Sequence, residues 1–153
     1  MSDTDGETLR VVVDTSVWVS AAINPVGPPG KVFDALRHRH FRLVTSEPLL
    51  RELAAVLNRR RISARYRLTP ESVEQFIALL CRRAEVVAIT GEPQGCRDPN
   101  DDMLIETARA GNATLLVSRD EDLTRDLDLM AAFNRYEITP LTVRRFLDLL
   151  AAE

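Results

Sequence analysis

The chain alternates between two kinds of hydrophobic pattern, and the alternation predicts a series of strands and helices. Short apolar runs rich in β-branched residues are typical of buried strands, whereas apolar residues three and four positions apart indicate amphipathic helices. The predicted element order, β-α-α-β-α-α-β-α-β-α-β-α, favours a parallel sheet of about five strands with helices on both faces. The strands are predicted at residues 10–13, 41–45, 85–89, 114–117 and 136–138.

The predicted helix boundaries depend on prolines, glycines and hydroxyl residues. Residues 24–30, with three prolines and two glycines, are predicted to form a loop ahead of a helix at residues 31–39. A hydroxyl residue shortly before a proline is typical of a helix start, because the hydroxyl accepts a backbone N–H and proline fits the first turn. Three such starts are predicted, at residues 46–48, 69–70 and 139–140.

Length and composition are those of one domain with a substantial core. The chain has 153 residues, of which 45% are hydrophobic, and no repeat, low-complexity segment or linker divides it. We therefore expect residues 1–153 to form a single domain, with the polar, acidic residues 1–8 as a disordered tail. The net charge of −3 does not favour nucleic-acid binding by the whole surface, so any such contact requires a local basic patch.

The two cysteines and the N-terminus indicate a cytoplasmic protein. Cys81 and Cys96 have no paired or metal-like spacing, which suits a reducing compartment and makes neither a strong ligand candidate. The N-terminal residues do not resemble a signal peptide, and no apolar run approaches the length of a membrane span. We expect no association with a membrane.

The first predicted strand ends on a carboxylate. Asp14 follows three valines and precedes Thr15 and Ser16, at the predicted start of the first helix. Ligands of open α/β sheets bind in the crevice outside the carboxyl ends of the strands, which makes Asp14 a candidate site residue. The alternative is that Asp14 only caps the helix.

Further acidic residues follow the other predicted strands. Glu52 lies one turn into the helix after the second strand, where an ordinary solvated glutamate is the alternative. The helix dipole favours acidic residues in a first turn, and this accounts for one or two of the three aspartates after the third strand. The aspartates in question are Asp98, Asp101 and Asp102 after the third strand, and Asp120 and Asp122 after the fourth.

A parallel sheet brings these strand ends to one edge, so their carboxylates are predicted to converge. Crowded carboxylates raise one another's pKa values, a conflict that a divalent cation removes. Oxygen ligands, with no histidine, cysteine or lysine among them, select Mg²⁺ or Mn²⁺ over zinc. Such an ion activates water and stabilises charge on an attacked phosphate, which predicts hydrolysis of phosphodiester bonds. The converging residues are predicted to be Asp14, Glu52, Asp102 and Asp120.

Residues 59–67 form the densest basic stretch of the chain, and they include Tyr66. The segment could contact phosphates while the tyrosine stacks on a base, or it could be a solvated connector between helices. Both interpretations remain open. The first predicts RNA contacts by Arg60, Arg61 and Arg65.

Several segments together resemble the PIN domain ribonucleases, in particular the VapC-like branch, which comprises toxins of toxin–antitoxin pairs. The resemblance covers nearly the whole chain and rests on the order and spacing of VVVDTSVWVSAA, SEPLLRELAAVL, RDPNDDMLIETA, LLVSRDEDL and ITPLTVRRFL. It implies a PIN-like three-layer α/β fold and a Mg²⁺- or Mn²⁺-dependent endoribonuclease acting on single-stranded RNA. It also implies a cognate antitoxin protein as partner, and a homodimer.

Matched to the motifs of the family, the acidic residues that hold the metal and catalyse cleavage fall on the four converging carboxylates named above. The resemblance also places a small hydroxyl near the metal at Ser16 and Ser118. Arg119 stands where many relatives carry glycine, and we expect its side chain to narrow or charge the groove for RNA. The neighbouring polar residues expected to support the site are Thr15, Asp98, Asp101 and Asp122.

Two other classes of protein are considered as alternatives. A catalytically weak PIN-like module that binds RNA or a partner protein would tolerate the loss of acidic residues, so the complete quartet argues against it. A phosphate-handling domain of the receiver type also clusters aspartates at strand ends. That type requires a lysine after a late strand, however, and Lys31 is the only lysine of this chain.

Overall fold

Five strands form one sheet in which every neighbouring pair is parallel. The computed structural model describes residues 8–119 and 126–152, so the predicted tail at residues 1–8 lies outside the described residues apart from Thr8. The strands are β1 (Arg10–Val13), β2 (Arg42–Ser46), β3 (Ala84–Val87), β4 (Leu115–Ser118) and β5 (Thr139–Thr142). Their order across the sheet is β3-β2-β1-β4-β5, which confirms the predicted α/β fold with a five-stranded parallel sheet.

Helices cover both faces of the sheet. The helices are α1 (Thr15–Ile23), α2 (Pro28–Arg37), α3 (Glu47–Leu57), α4 (Arg60–Ser63), α5 (Pro70–Arg82), α6 (Pro99–Ala110), α7 (Leu127–Arg135) and α8 (Val143–Ala152). Successive residues of a strand point to opposite faces, so Val11 and Val13 join one apolar cluster and Val12 joins another. The first cluster includes residues of α1, α2, α5 and α8, and the second includes residues of α6 and α7.

The last strand and the last helix begin later than predicted. Thr139–Thr142 forms β5, so the predicted strand at residues 136–138 and the predicted helix start at Thr139 are both wrong. Pairing with β4 decides the outcome: the Thr139 amide donates to the Thr114 carbonyl at 2.8 Å, and β5 lies at the edge of the sheet, where a proline is tolerated. Thr142 takes the role expected of Thr139, because its Oγ1 accepts from the Arg145 amide at 3.2 Å.

The segment rich in proline and glycine is shorter as a loop than predicted. Helix α2 begins at Pro28, and Gly30 lies in its first turn. A Cβ atom at Gly30 would lie 1.9 Å from the Pro25 carbonyl oxygen, so the close approach of these two backbones requires glycine.

The basic stretch at residues 59–67 contains an element that was not predicted, the short helix α4.

The strand order creates a switch point between β1 and β4. From β1 the chain moves outward to β2 and β3, and then crosses to β4 and β5 on the other side of β1. Ligand sites of open parallel sheets lie at such a point, outside the carboxyl ends of the strands. None of the helices within residues 8–119 and 126–152 is long and apolar enough to cross a membrane.

Candidate active site

Asp14 is the N-cap residue of α1 and also lies at the switch point between β1 and β4. Its Oδ1 accepts a hydrogen bond from the Ser16 amide at 3.4 Å, and its Oδ2 accepts one from Ser118 Oγ at 3.0 Å. The Asp14 amide donates to the Val117 carbonyl at 2.8 Å, which continues the pairing of β1 with β4 up to the carboxylate. The capping role and the position at the crevice therefore involve different oxygens of one side chain.

Two buried hydroxyl groups lie near Asp14. Ser16 is close to it in the sequence, and Ser118 is bonded to it from the neighbouring strand. Ser118, the last residue of β4, is 1% exposed. Ser16 Oγ is buried and has no hydrogen-bond partner within the described part of the chain. A buried polar atom without a partner costs about 1–3 kcal/mol, so Ser16 marks a position where a bound group or water would complete the bonding.

Glu52 lies on α3 and is linked to the same region by Thr15. Thr15 Oγ1 donates to Glu52 Oε1 at 2.9 Å, and the glutamate side chain is half-buried. Since Thr15 directly follows Asp14, the hydrogen bond holds Glu52 near the carboxyl end of β1. Glu52 is therefore not a freely solvated glutamate, although its role as a metal ligand stays a prediction.

Asp98 and Asp102 have identifiable structural roles before α6 and in its first turn. Asp98 is the N-cap residue, and its Oδ1 accepts from the Asn100 amide at 2.9 Å. Asp102 Oδ1 accepts from the amides of Gln94 and Cys96, both at 3.0 Å. These bonds fasten the loop that precedes α6 onto the helix.

Cys96 is held in its protonated form by the same arrangement. Burial is the main cause that raises the pKa of the Cys96 thiol to about 12, and the hydrogen bond and negative charge of Asp102 contribute to the same rise. A metal ligand must be the thiolate. The raised pKa therefore disfavours Cys96 as a metal ligand.

Asp101 is the carboxyl group of α6 that shares the electrostatic environment of Asp14. Burial of its side chain is the main cause that raises the pKa of Asp101 to about 6. The negative charges of Asp98, Asp126, Asp14 and Asp102 are the smaller causes of this rise, in that order. Within the described residues Asp101 accepts no hydrogen bond that would offset this cost, so its carboxyl lies in an acidic, partly desolvated pocket.

Asp126 is an acidic residue near this pocket that the sequence analysis did not single out. Its Oδ1 caps α7 by accepting from the amides of Asp128 and Leu129, at 3.0 and 3.2 Å. An aspartate directly before an apolar helical run is an N-cap signal, and this signal could have located Asp126. Its contribution to the pKa of Asp101 depends on the packing of α7 beside α6, which no local pattern reveals.

Two predicted site residues, Asp120 and Asp122, lie outside the described residues, which are 8–119 and 126–152. Arg119 is described and exposed, and its Nη1 donates to Ser20 Oγ at 2.5 Å. Arg119 thus reaches from the end of β4 across to α1, close to the edge on which Asp14 lies.

The donor atoms at this edge fit a hard divalent cation better than any other metal. They are carboxylate and hydroxyl oxygens of Asp14, Glu52, Asp101 and Ser118, and such oxygens suit Mg²⁺ or Mn²⁺. The described residues alone do not bring three or more acidic, histidine or cysteine side chains close enough to hold a metal ion. Convergence of the predicted quartet therefore stays a prediction, since one member, Asp120, is not described.

The basic stretch at residues 59–67 is a solvent-exposed surface. Arg60, Arg61 and Arg65 are exposed, and within the described residues none of them forms an ion pair. The Arg65 guanidinium lies 5.4 Å from the centre of the Tyr66 ring, and Tyr66 is 38% exposed. Unpaired arginines and an accessible aromatic ring are compatible with RNA contact and with a solvated connector alike.

Comparisons with known proteins address the family directly. The chain is 27% identical over 145 residues to an uncharacterized protein of Methanocaldococcus jannaschii, across 92% of this chain and 90% of that relative. No solved structure matches the chain. A family model described as PIN domain matches residues 10–122, which is well over half of the sequence. The chain therefore belongs to the PIN domain family, whose members are generally nucleases and typically use divalent metals.

Proposed function

We propose that this protein is a divalent-metal-dependent endoribonuclease that hydrolyses phosphodiester bonds of single-stranded RNA. The observation that carries the proposal is the environment of Asp14. Its carboxylate lies at the switch point, is bonded to buried Ser118, and raises the pKa of Asp101 on the neighbouring helix. Negative charge gathered at this point is suited to a hard cation, and membership of the PIN family supports nuclease chemistry.

The proposed set contains residues that would hold the metal and residues that orient them. Asp14 and Glu52 would hold the metal together with Asp102 and Asp120, and Ser118 keeps one oxygen of Asp14 in a fixed orientation. When bound, Mg²⁺ or Mn²⁺ supplies the Lewis acidity that activates water and stabilises charge on the attacked phosphate. Thr15 orients Glu52 by donating a hydrogen bond to one of its two carboxylate oxygens.

The share of Asp102 in this task is limited by its bonds to the backbone. One oxygen of Asp102 already accepts two amide hydrogens of the preceding loop. Asp101 has no such bond within the described residues, and its pKa responds to the charge of Asp14. We therefore propose Asp101 as a second candidate for the acidic ligand from α6. Cleavage rates of Asp101→Asn and Asp102→Asn distinguish the two, because asparagine at position 102 can still accept both amide hydrogens.

The finer parts of the proposal are supported by the resemblance to VapC-like toxins. We propose a toxin role in the cytoplasm, a cognate antitoxin partner and a homodimer on that basis alone. Induced expression in a bacterial host tests the toxin role. Growth arrest by the wild type, relieved in Asp14→Asn, is expected. Equal growth of both strains at equal protein levels would contradict that role without touching the nuclease proposal.

The nuclease proposal is tested by cleavage of a labelled single-stranded RNA. We expect wild-type protein to cleave it with Mg²⁺ or Mn²⁺ and to stop with EDTA. Asp14→Asn should lose activity, whereas Asp34→Asn, at an exposed aspartate of α2, should retain it. Duplex RNA and single-stranded DNA serve as substrate controls. Cleavage that persists in EDTA, or full activity of Asp14→Asn, would contradict the proposal.

The alternative function is that of a catalytically weak PIN-like module that binds RNA or a partner protein. This alternative predicts that RNA binds with equal affinity in EDTA and in Mn²⁺ and is never cleaved. The cleavage assay above, run beside a binding assay on the same RNA, separates the two functions.

A further inference from the structure

A polar cavity lies at the amino ends of the strands, whereas Asp14 lies at their carboxyl ends. Its volume is about 330 Å³, which falls within the ~300–1,000 Å³ typical of small-molecule sites. It is formed where β2 and β3 begin, beside the C-terminal ends of α2 and α5. We call it the arginine cavity, and its charged and aromatic lining residues are Arg39, Phe41, Arg42, Arg82, Arg83 and Glu85.

The charge of the arginine cavity is strongly positive. Glu85 is the one carboxylate among the described lining residues. It forms an ion pair with Arg10, which does not line the cavity, and Arg10 Nη2 lies 2.7 Å from Glu85 Oε1. Within the described residues, Arg39, Arg82 and Arg83 form no ion pair. Three guanidinium groups therefore line one concave space, and none of them has an anionic partner among residues 8–119 and 126–152.

Arg83 is the least exposed of these three arginines. Its Nε is buried and has no hydrogen-bond partner in the part of the chain that the structure describes. Helix C-termini favour cations, and this accounts for Arg82 in the last turn of α5. The helix dipole does not explain a buried guanidinium N–H without an acceptor, because desolvating such a donor is costly unless it is bonded.

The guanidinium N–H groups of these arginines indicate which kind of ligand the cavity could bind. Guanidinium groups present planar N–H pairs that match the oxygens of phosphate, and several of them can engage one phosphate. We propose that the arginine cavity binds the phosphate group of a small phosphorylated molecule, at a site separate from the carboxylates at the other edge of the sheet. This site needs no metal ion, because the arginines neutralise the phosphate themselves.

Calorimetry of the full chain with three probes tests the proposal. Pyrophosphate, adenosine monophosphate and adenosine are titrated in chloride buffer with EDTA and without phosphate or sulfate. We expect one pyrophosphate per chain, with affinity falling as sodium chloride rises. Adenosine monophosphate should bind and adenosine should not, if the phosphate provides the recognition. Binding of pyrophosphate alone would assign the site to inorganic phosphates and still support the proposal.

Variants show whether the arginine cavity is the binding site. Arg82→Ala and Arg83→Gln should each weaken pyrophosphate binding by about tenfold or more, because each removes charged hydrogen bonds to the phosphate. Arg144→Ala, at an exposed arginine of α8, is the matched control and should bind as the wild type does. Thermal melts of all variants without probe confirm that they fold.

Two results would overturn the proposal. One is the absence of pyrophosphate binding by the wild type, and the other is equal affinity of the wild type and both cavity variants. Binding of a single-stranded oligoribonucleotide that is sensitive to Arg82→Ala, with no binding of either small phosphate, would also overturn it in favour of an RNA-binding surface. All of these outcomes are independent of RNA cleavage, since EDTA is present throughout.

Discussion

Two carboxylates near the candidate site, Asp14 and Asp102, each accept two hydrogen bonds. The capping hydrogen bond that Asp14 accepts from the Ser16 amide is 3.4 Å long, whereas the bond that it accepts from Ser118 Oγ is 3.0 Å long. Capping alone therefore does not account for the position of this side chain. Asp102 differs from Asp14, because both of its hydrogen bonds, at 3.0 Å each, come from backbone amides of the preceding loop and give it a structural role. Whether a given aspartate faces the crevice depends on such individual partners.

Gly111 provides a test of packing at the scale of one residue. Gly111 is the C-cap residue of α6, but its φ of −101° is open to any residue, and the left-handed conformation falls on Asn112. A Cβ atom at Gly111 would lie 2.3 Å from Val44 Cγ1, in the core under β2. We expect Gly111→Ala to destabilise the fold by about 1–3 kcal/mol, the usual cost of overpacking. Urea denaturation measures this change.

If contact with Val44 causes the loss of stability in Gly111→Ala, a smaller residue at position 44 should restore part of it. Replacing Val44 by alanine removes the methyl group that the new Cβ would meet. The double variant Gly111→Ala, Val44→Ala should therefore be more stable than the sum of the two single changes predicts. Strict additivity of the two changes would contradict the contact as the cause.

At the scale of elements, hydrophobic periodicity located most strands and helices but not their ends. The strand at residues 10–13 was predicted with its observed bounds, because three consecutive valines leave little choice. The last strand was misplaced, since its residues read as a helix start until they pair with β4. The helix cap of α5 was predictable because Thr69 and Ser72 form a local capping box. Pairing between distant strands has no local signal.

The acidic first turn of α6 predicts a specific dependence of stability on pH. The folded-state pKa of Asp101 is about 6, above its ordinary value of 3.8. Ionised Asp101 therefore destabilises the metal-free fold above pH 6, and the penalty fades as pH falls from about 6 to 4. We expect Asp101→Asn to be more stable than the wild type at pH 7.5, by about 1 kcal/mol after allowance for partial exposure. Thermal melts in EDTA measure the difference.

The same melts at lower pH provide the decisive comparison for Asp101. The advantage of Asp101→Asn over the wild type should shrink toward zero near pH 4. Asp148→Asn, at an exposed aspartate of α8, is the control and should differ little from the wild type at either pH. A constant advantage of Asp101→Asn from pH 7.5 to 4 would show that charge at this position is not the cause.

At the scale of the whole molecule, a net charge of −3 conceals a separation of charges. Carboxylates gather at the carboxyl ends of the strands, and arginines line a cavity at the amino ends. The acidic candidates could be identified from the sequence because each of them follows a strand, whereas the convergence of the predicted quartet stays a prediction. The arginine cavity could not, since Arg39, Arg82 and Arg83 come together only when β2 and β3 pair. The partners of Asp14 and Asp102 depend on tertiary packing for the same reason.

RNA binding by a protein of negative net charge requires a local basic surface, and α4 with its flanking residues offers one. We expect the triple change of Arg60, Arg61 and Arg65 to alanine to weaken binding of single-stranded RNA. The slope of log affinity against log salt concentration should decrease by roughly 0.7 for each phosphate that the variant no longer neutralises. Filter binding at several salt concentrations, with Arg144→Ala as control, measures the slope. An unchanged slope would identify residues 59–67 as a solvated connector.

The central claim is that Asp14 belongs to a divalent-cation site, and Mn²⁺-dependent stabilisation tests it most directly. A ligand that binds only the folded state at a hundredfold excess over its Kd stabilises it by about 2.7 kcal/mol. Thermal melts with EDTA and with Mn²⁺ should show such a gain in the wild type and in the control Asp34→Asn. Asp14→Asn, which keeps a capping side chain, should lose most of it. An Asp14→Asn protein with the full wild-type gain would remove Asp14 from the site and contradict the account.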